Sequence, residues 1–213
     1  MELTTLRKFI FSDSSEILEI NIPEIAKPEY GMYTWPCSPV LAQFIWHNRR
    51  WVKNKVVLEL SAGTALPGIV AAKCGATVHF SDCPEMPECL RNVKRSCDAN
   101  NLRDNIVHGI TWGRIDGVVT KLPKLDVIIS SDCFYNPKDF ENLITTVAYL
   151  LDINSNVQFI CSYQERSSSW SIQHLLHKWK LNASVIPLSS FQGNSSDMTC
   201  SYLPGNPSIS VLK

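Results

Sequence analysis

The sequence predicts an α/β fold: a mostly parallel β-sheet covered by helices on both faces, preceded by an extended N-terminal β segment. Three observations predict it. From Lys55 onward, short apolar runs alternate with stretches whose apolar residues recur at helical spacing. Alternation of this kind buries a parallel sheet between layers of helix. The first run of that series ends in small residues, Ser61-Ala62-Gly63-Thr64-Ala65, as a ligand loop at a strand end requires. No internal repeat, low-complexity tract or linker interrupts the pattern, so one domain is expected over 1–213, with 1–31 as an extension and 32–213 as the core.

The elements follow in order. Phe9-Ile10-Phe11 and Ile17 to Ile22 are β-like runs around the turn formers Ser12-Asp13-Ser14-Ser15. Pro23, Pro28 and Gly31 then break regular structure. Ser38 is expected to cap a helix to His47, with Pro39 in its first turn. Val56 to Leu60 reads as a buried strand, Leu66 to Lys73 as a helix, and Gly75 as its stop. Thr77 to Phe80 is a strand and Pro87 to Asn100 a helix. Ile106 to Ile110 and Leu125 to Ser130 supply two more strands. Asn136-Pro137 starts a helix towards Leu151, and Val157 to Cys161 is a strand. Trp170 to Trp179 is expected to be helical, with Trp170, Leu175, Leu176 and Trp179 on a core-facing side. Ala183 to Ile186 and a short run at Ile209 to Leu212 close the sheet.

Composition excludes several functions. The 213 residues carry 20 basic and 20 acidic side chains, so no overall basic excess marks a nucleic-acid binder. Direct nucleic-acid binding is not expected. No apolar run approaches the roughly 20 residues that span a bilayer, so no membrane association is expected. The eight cysteines come without a secretory leader or a Cys-x-x-Cys pair, which predicts reduced thiols and neither disulfides nor structural zinc. His174 and His177 lack a third ligand nearby, and no metal is expected. Cys133 has no histidine partner in view and reads as a buried thiol. Arg49-Arg50 is too short for a nuclear-localisation cluster. The sequons at Asn182 and Asn194 are expected to stay unmodified without a secretory route.

The loop Glu59 to Gly68 carries the functional reading. The dinucleotide fingerprint G-x-G-x-x-G fails because Ser61 occupies its first glycine position. A pyrophosphate-binding oxidoreductase is therefore disfavoured. S-adenosylmethionine has no phosphate and does not need that fingerprint. Asp82 follows the second strand of the series, about 20 residues on, where a carboxylate accepts ribose hydroxyls. Glu59 is expected among the cofactor-binding residues, ordering the loop that meets the zwitterionic end of the cofactor.

The chain resembles the seven-β-strand, lysine-methyltransferase-like group of S-adenosylmethionine-dependent methyltransferases. The resemblance is carried by Tyr33-Thr34-Trp35-Pro36-Cys37, the loop through Gly63, Leu66-Pro67-Gly68-Ile69 and Ala71 to Ala76. It continues through Ser81-Asp82, Ser96-Cys97, Asn100-Asn101-Leu102, Thr111-Trp112-Gly113, Ser131 to Tyr135, Ser162 to Ser167, Trp170-Ser171 and Leu203-Pro204-Gly205. It implies the class I, Rossmann-like fold with a seven-stranded sheet. It also implies that Trp35 borders the cofactor, that Ser61, Ala62 and Gly63 meet its amino-acid end, that Asp82 holds its ribose, that Trp112 lies against its adenine, and that Ser131 lines the floor near it. The group's loop usually has glycine where Ser61 stands.

Asp132-Cys133-Phe134-Tyr135 matches the D-x-x-Y signature of the group. Methyl transfer needs an aligned, desolvated nucleophile more than it needs chemistry from the protein. Asp132 is expected to orient the substrate nitrogen or the loop around it, and Tyr135 to wall the pocket and face a cation. Glu141, nine residues on, reads as a first-turn helix acid and not as a second substrate carboxylate. The resemblance implies a protein N-methyltransferase acting on histone H3 arginine in chromatin regulation, in nucleus and cytoplasm, with chaperone or transcription-factor partners. The alternatives are a lysine methyltransferase of a non-histone protein, a small-molecule methyltransferase with a closed pocket, or a cofactor-binding interaction module.

Overall fold

The computed structural model describes residues 4–27, 30–164, 166–167, 170–193 and 207–212. Glu165, Leu203-Pro204-Gly205 and the sequon at Asn194 lie outside the described residues. Alternating strands and helices build a seven-stranded sheet: β3 (Val56–Glu59), α3 (Leu66–Lys73), β4 (Thr77–Asp82), α4 (Pro87–Ala99), β5 (Ile106–Gly109), β6 (Val127–Ser131), α5 (Phe140–Ile153), β7 (Gln158–Gln164), α6 (Gln173–Lys178), β8 (Ala183–Ile186) and β9 (Pro207–Leu212). Their order is β5-β4-β3-β6-β7-β9-β8. The first five are parallel, and β9 runs antiparallel between β7 and β8. The order reverses between β3 and β6, and a doubly wound sheet binds ligands beyond its strand ends at that point.

Strand alternation sorts the core into two layers. Val57, Val127 and Ile129 face Val40, Leu41, Ile69 and Val70 on one side. Leu58 and Ile128 face Leu143, Ile144, Val147 and Leu150 of α5 on the other. Leu175 and Leu176 of α6 are buried in this second layer, with Trp170 and Trp179 packed against it. The core-facing side predicted for that segment is therefore present, although the helix covers only Gln173–Lys178.

The N-terminal segment is a hairpin of β1 (Thr4–Ser12) and β2 (Ile17–Ile25), longer than the two runs predicted. Asp13 makes its turn by accepting hydrogen bonds from the Ser15 and Glu16 amides at 2.8 and 3.0 Å. Arg49 then clamps the turn by pairing with Asp13 and Glu16. Phe11, Ile20 and Ile22 join the first core layer. Asn100, just past α4, completes the attachment. Its side chain accepts from the Asn21 amide at 2.9 Å and donates to the Asn21 carbonyl at 2.7 Å.

Two local expectations are corrected. Helix α1 runs Cys37–His47, ahead of the single turn α2 (Arg49–Val52), with Pro36 at its cap position, so Ser38 lies inside the first turn and caps nothing. The proline that opens the helix is Pro36, whose fixed φ suits the entry. The last strand is not short: β9 pairs over six residues with β7 and over four with β8. Gly75, by contrast, stops α3 with φ +91°, as expected.

Asn100→Ala is expected to destabilise the protein by about 1–3 kcal/mol, because the Asn21 amide and carbonyl lose their partner. The check is a chemical melt together with hydrogen exchange, in which the Asn21 amide should lose protection first.

Candidate active site

The site forms where the strand ends are tied together by short polar links. Ser81 donates its hydroxyl to the Glu59 carbonyl at 2.8 Å, and Ser130 donates to the Leu60 carbonyl at 2.7 Å. Ser162 on β7 reaches the Cys37 carbonyl at 2.8 Å, which pins the start of α1 over the same edge. Asp82 closes the set. Its Oδ2 accepts from the Gly63 amide and its Oδ1 from the Cys83 amide, both at 2.8 Å. The Ala62 amide donates to the Ser81 carbonyl at 2.9 Å. The loop after β3 is thereby hung from the end of β4.

That loop is built of left-handed residues. Ser61, Gly63 and Ala65 have φ of +56°, +53° and +61°. A non-glycine residue in this region costs roughly 1–2 kcal/mol, which accounts for the glycine that the resembling group carries where Ser61 stands. The segment before α1 is fastened above the loop. The Asn92 amide group donates to the Gly31 carbonyl at 2.8 Å, and the Thr34 amide to Glu24 at 3.0 Å. Thr34 and Thr64 share a hydroxyl contact at 3.2 Å. Trp35 donates its indole N–H to the Tyr30 carbonyl at 2.8 Å.

Between these parts lies a trough of two compartments. The inner one, about 60 Å³, is lined by Trp35, Ser61, Ala62, Gly63, Asp82, Ser131, Asp132 and Tyr135, together with Tyr30, Tyr33 and Arg166 among others. The outer one, about 240 Å³, is lined by Trp112, Ile110 and Asn142 and shares Ser61, Asp82 and Tyr135 with the first. Nine of the ten residues singled out in the sequence thus meet in one trough. Tyr30 and Tyr135 stand 5.3 Å apart between ring centroids, and Tyr33 and Trp35 4.8 Å apart. Aromatic walls of this kind favour a cation.

The tenth residue, Glu59, does not line the trough. Alternation along β3 turns it, with Val57, towards α3, where it is fully buried. A side chain on Gly68 would meet its Oε2 at 2.2 Å, so the carboxyl lies directly under the first turn of α3. Burial pushes its pKa well above the usual carboxylate range, opposed only by the Gly68 amide. Neither of its oxygens has a hydrogen-bond partner of ordinary geometry among the described residues. Burial also raises Asp82, against the two amides that stabilise its anion. Tyr135 is pushed up to about 12 by burial and by the neighbouring Asp82 carboxylate, which keeps its phenol neutral.

Arg166 is the residue the sequence reading missed as a member of the site. Its guanidinium takes Asp132 in a fork, with Nη1 to Oδ1 at 2.9 Å and Nη2 to Oδ2 at 2.6 Å. Asp132 itself has φ +55°, and its amide donates to the Ser162 carbonyl at 2.7 Å. The Cys37 thiol is driven up by burial first and then by the Asp132 charge beside it. Glu141 is in the first turn of α5 and pairs with Lys178, away from the trough. His174 and His177 are exposed, Cys133 is a buried free thiol, and no cluster among the described residues suits a metal.

A family model described as lysine methyltransferase matches residues 14–176. The chain belongs to that family. It is similar to the histone-arginine methyltransferase METTL23 of Rattus norvegicus, with 46% identity over 92% of this chain and 87% of the relative. With the Homo sapiens protein of the same name the identity is 45%, over 85% of this chain and 95% of the relative. A ribosomal protein L11 methylase from Lactobacillus delbrueckii subsp. bulgaricus shares the fold at 16% identity and a TM-score of 0.56, over 81% of this chain and 76% of that one.

This methyltransferase uses S-adenosylmethionine, and the trough fits that cofactor better than a dinucleotide. Ser61 stands where a pyrophosphate-binding loop needs its first glycine, so the loop lacks the fingerprint that seats a dinucleotide at the helix N-terminus. Gly63 and Gly31 face each other at ordinary van der Waals distance, an added Cβ on Gly63 meeting the Gly31 Cα at 3.5 Å, so the loop lies alongside the segment before α1. Asp82 keeps free lone pairs for hydroxyl donors after accepting two amides.

Glu59 sets a pH dependence. Its folded pKa lies above the ordinary 4.5, so the folded state binds more protons than the unfolded one as pH rises past that value. The stability it contributes is complete below that ordinary value and is lost as pH climbs through the folded pKa. Glu59→Gln is therefore expected to melt higher than the parent at pH 8, with the gap narrowing towards pH 4.5. Paired thermal melts at the two pH values check it.

Proposed function

We propose that this methyltransferase modifies an arginine of histone H3, in the nucleus and cytoplasm, as a regulator of chromatin. The observation that carries the reading is the single trough joining the loop Ser61 to Gly63 and Asp82 to Asp132, Tyr135 and their aromatic neighbours. The choice of arginine is supported by the high identity to relatives named histone-arginine methyltransferases in rat and human.

In this reading residues 1–213 work as one domain, with the hairpin buttressing the segment that carries Trp35. Ser61, Ala62 and Gly63 hold the amino-acid end of the cofactor, Asp82 the ribose hydroxyls, and Trp112 with Ser131 the adenine. Glu59 acts from below by supporting the first turn of α3. S-adenosylmethionine supplies a methyl group already activated by its sulfonium. The chain's own residues then orient the nucleophile and exclude water. Tyr135, Trp35 and Tyr30 wall the cationic side chain, and Asp132 faces it from the end of β6. Chaperone or transcription-factor partners belong to the same proposal and follow from the family resemblance alone.

Incubation with radiolabelled S-adenosylmethionine and histone H3, followed by mass spectrometry, is expected to find label on arginine. Asp82→Ala should reduce labelling at least about tenfold, since a hydrogen bond to a charged group is worth about 1.5–3 kcal/mol. Label confined to lysine would move the protein to the alternative that the family description favours. Undiminished labelling by the variant would remove Asp82 from the cofactor site.

A further inference from the structure

The Asp132 carboxylate is an unusual place to find a guanidinium already bound. It stands at the end of β6, its side chain 4% exposed, in the compartment that also holds Tyr30, Trp35 and Tyr135. Arg166 covers it with both Nη atoms, at 2.9 and 2.6 Å, and keeps a longer contact of 3.3 Å to the Gln164 carbonyl. The guanidinium lies 5.8 Å from the centre of the Trp35 ring. Its side chain is 24% exposed, so it closes the carboxylate from the solvent side.

We propose that Asp132 is a guanidinium seat occupied from within the chain by Arg166, and that a substrate arginine reaches the carboxylate by taking the place of Arg166. The inference deepens the arginine reading above and rests on it for the identity of the incoming group. Its physical content is an exchange of like for like. Removing Arg166 leaves a buried, unpaired anion, which is strongly unfavourable. An incoming guanidinium restores both parallel hydrogen bonds and the approach to the indole face. An ammonium is a point charge without the planar fork, and restores one bond of the two. One charge-assisted hydrogen bond corresponds to roughly a tenfold to hundredfold preference. The seat therefore selects arginine over lysine without a second substrate carboxylate, which fits the engagement of Glu141 with Lys178 elsewhere.

The seat is tested first without catalysis. Arg166→Ala should melt below the parent, and low-millimolar guanidinium ion should recover the loss while methylammonium at equal ionic strength does not. The parent should respond to neither. Equal recovery by both cations, or none by guanidinium, overturns the seat. Exchange is tested by binding a histone H3 tail peptide in the presence of S-adenosylhomocysteine. Arg166→Ala should bind the arginine peptide at least about tenfold more tightly than the parent, with a smaller gain for the peptide bearing lysine at each arginine. Loss of peptide binding with S-adenosylhomocysteine binding intact would make Arg166 a positioning residue for Asp132 and overturn the exchange. If Arg166→Ala does not fold, Arg166→Lys provides a weaker resident cation. It should likewise bind the peptide more tightly than the parent, and unchanged affinity overturns the exchange. Guanidinium-selective recovery with no methylation of histone H3 supports the seat and overturns the histone reading instead.

Discussion

The Asp82 carboxylate joins two strand ends, and the site depends on that joint. By accepting the Gly63 and Cys83 amides, each at 2.8 Å, it suspends the loop after β3 from the end of β4. Without it, the Gly63 amide would lose its acceptor, and the loop that holds Ser61 and Ala65 in left-handed backbone would lose this tie to β4. The joint is buried, and burial raises the pKa of Asp82 while the two amides hold it down. The anion is thus kept in place by the backbone it organises. Because those amides leave part of its accepting capacity open, the group that builds the loop is also placed to meet a ligand in the trough.

Two further carboxyls show how placement decides role. Glu59 and Asp132 both lie near strand ends close to Asp82, yet they serve different faces. Strand alternation sends Glu59 beneath α3, where it supports the loop from inside. Asp132 sits one residue past β6, and φ +55° turns it into the inner compartment. There Arg166 neutralises it, and the aromatic walls of Tyr30, Trp35 and Tyr135 gather around the pair. The hairpin contributes at a distance: Glu24 accepts the Thr34 amide at 3.0 Å and so steadies the segment carrying Tyr33 and Trp35.

Much of this was legible in the sequence, for physical reasons that differ by element. The alternation from Lys55 onward specified the sheet, because buried parallel strands read as apolar runs and their covering helices as 3.6-periodic ones. Asp82, Ser131 and Asp132 were legible as strand-end residues. The helical extent of 170–179 was overread, since tryptophans and leucines pack as well from a loop as from a helix, and α6 covers only Gln173–Lys178. Ser38 lost the cap position to Pro36 because both are plausible openers and only the chain path chooses. Glu59 was placed at the cofactor by its motif, whereas the two-residue period of the strand points it away. Arg166 carried no local signal: its partner is 34 residues distant, and only β7 lying beside β6 brings them together.

The most direct test of the account is a crystal structure of the protein with S-adenosylhomocysteine. The amino-acid end is expected against Ser61 to Gly63 in the inner compartment, both ribose hydroxyls on Asp82, and the adenine against Trp112 in the outer one, with Ser131 on the inner floor near it. Glu59 should remain buried beneath Gly68 and untouched. A cofactor bound outside the trough, or bound within it while Asp82 contacts neither the ribose nor the Gly63 amide, would contradict it.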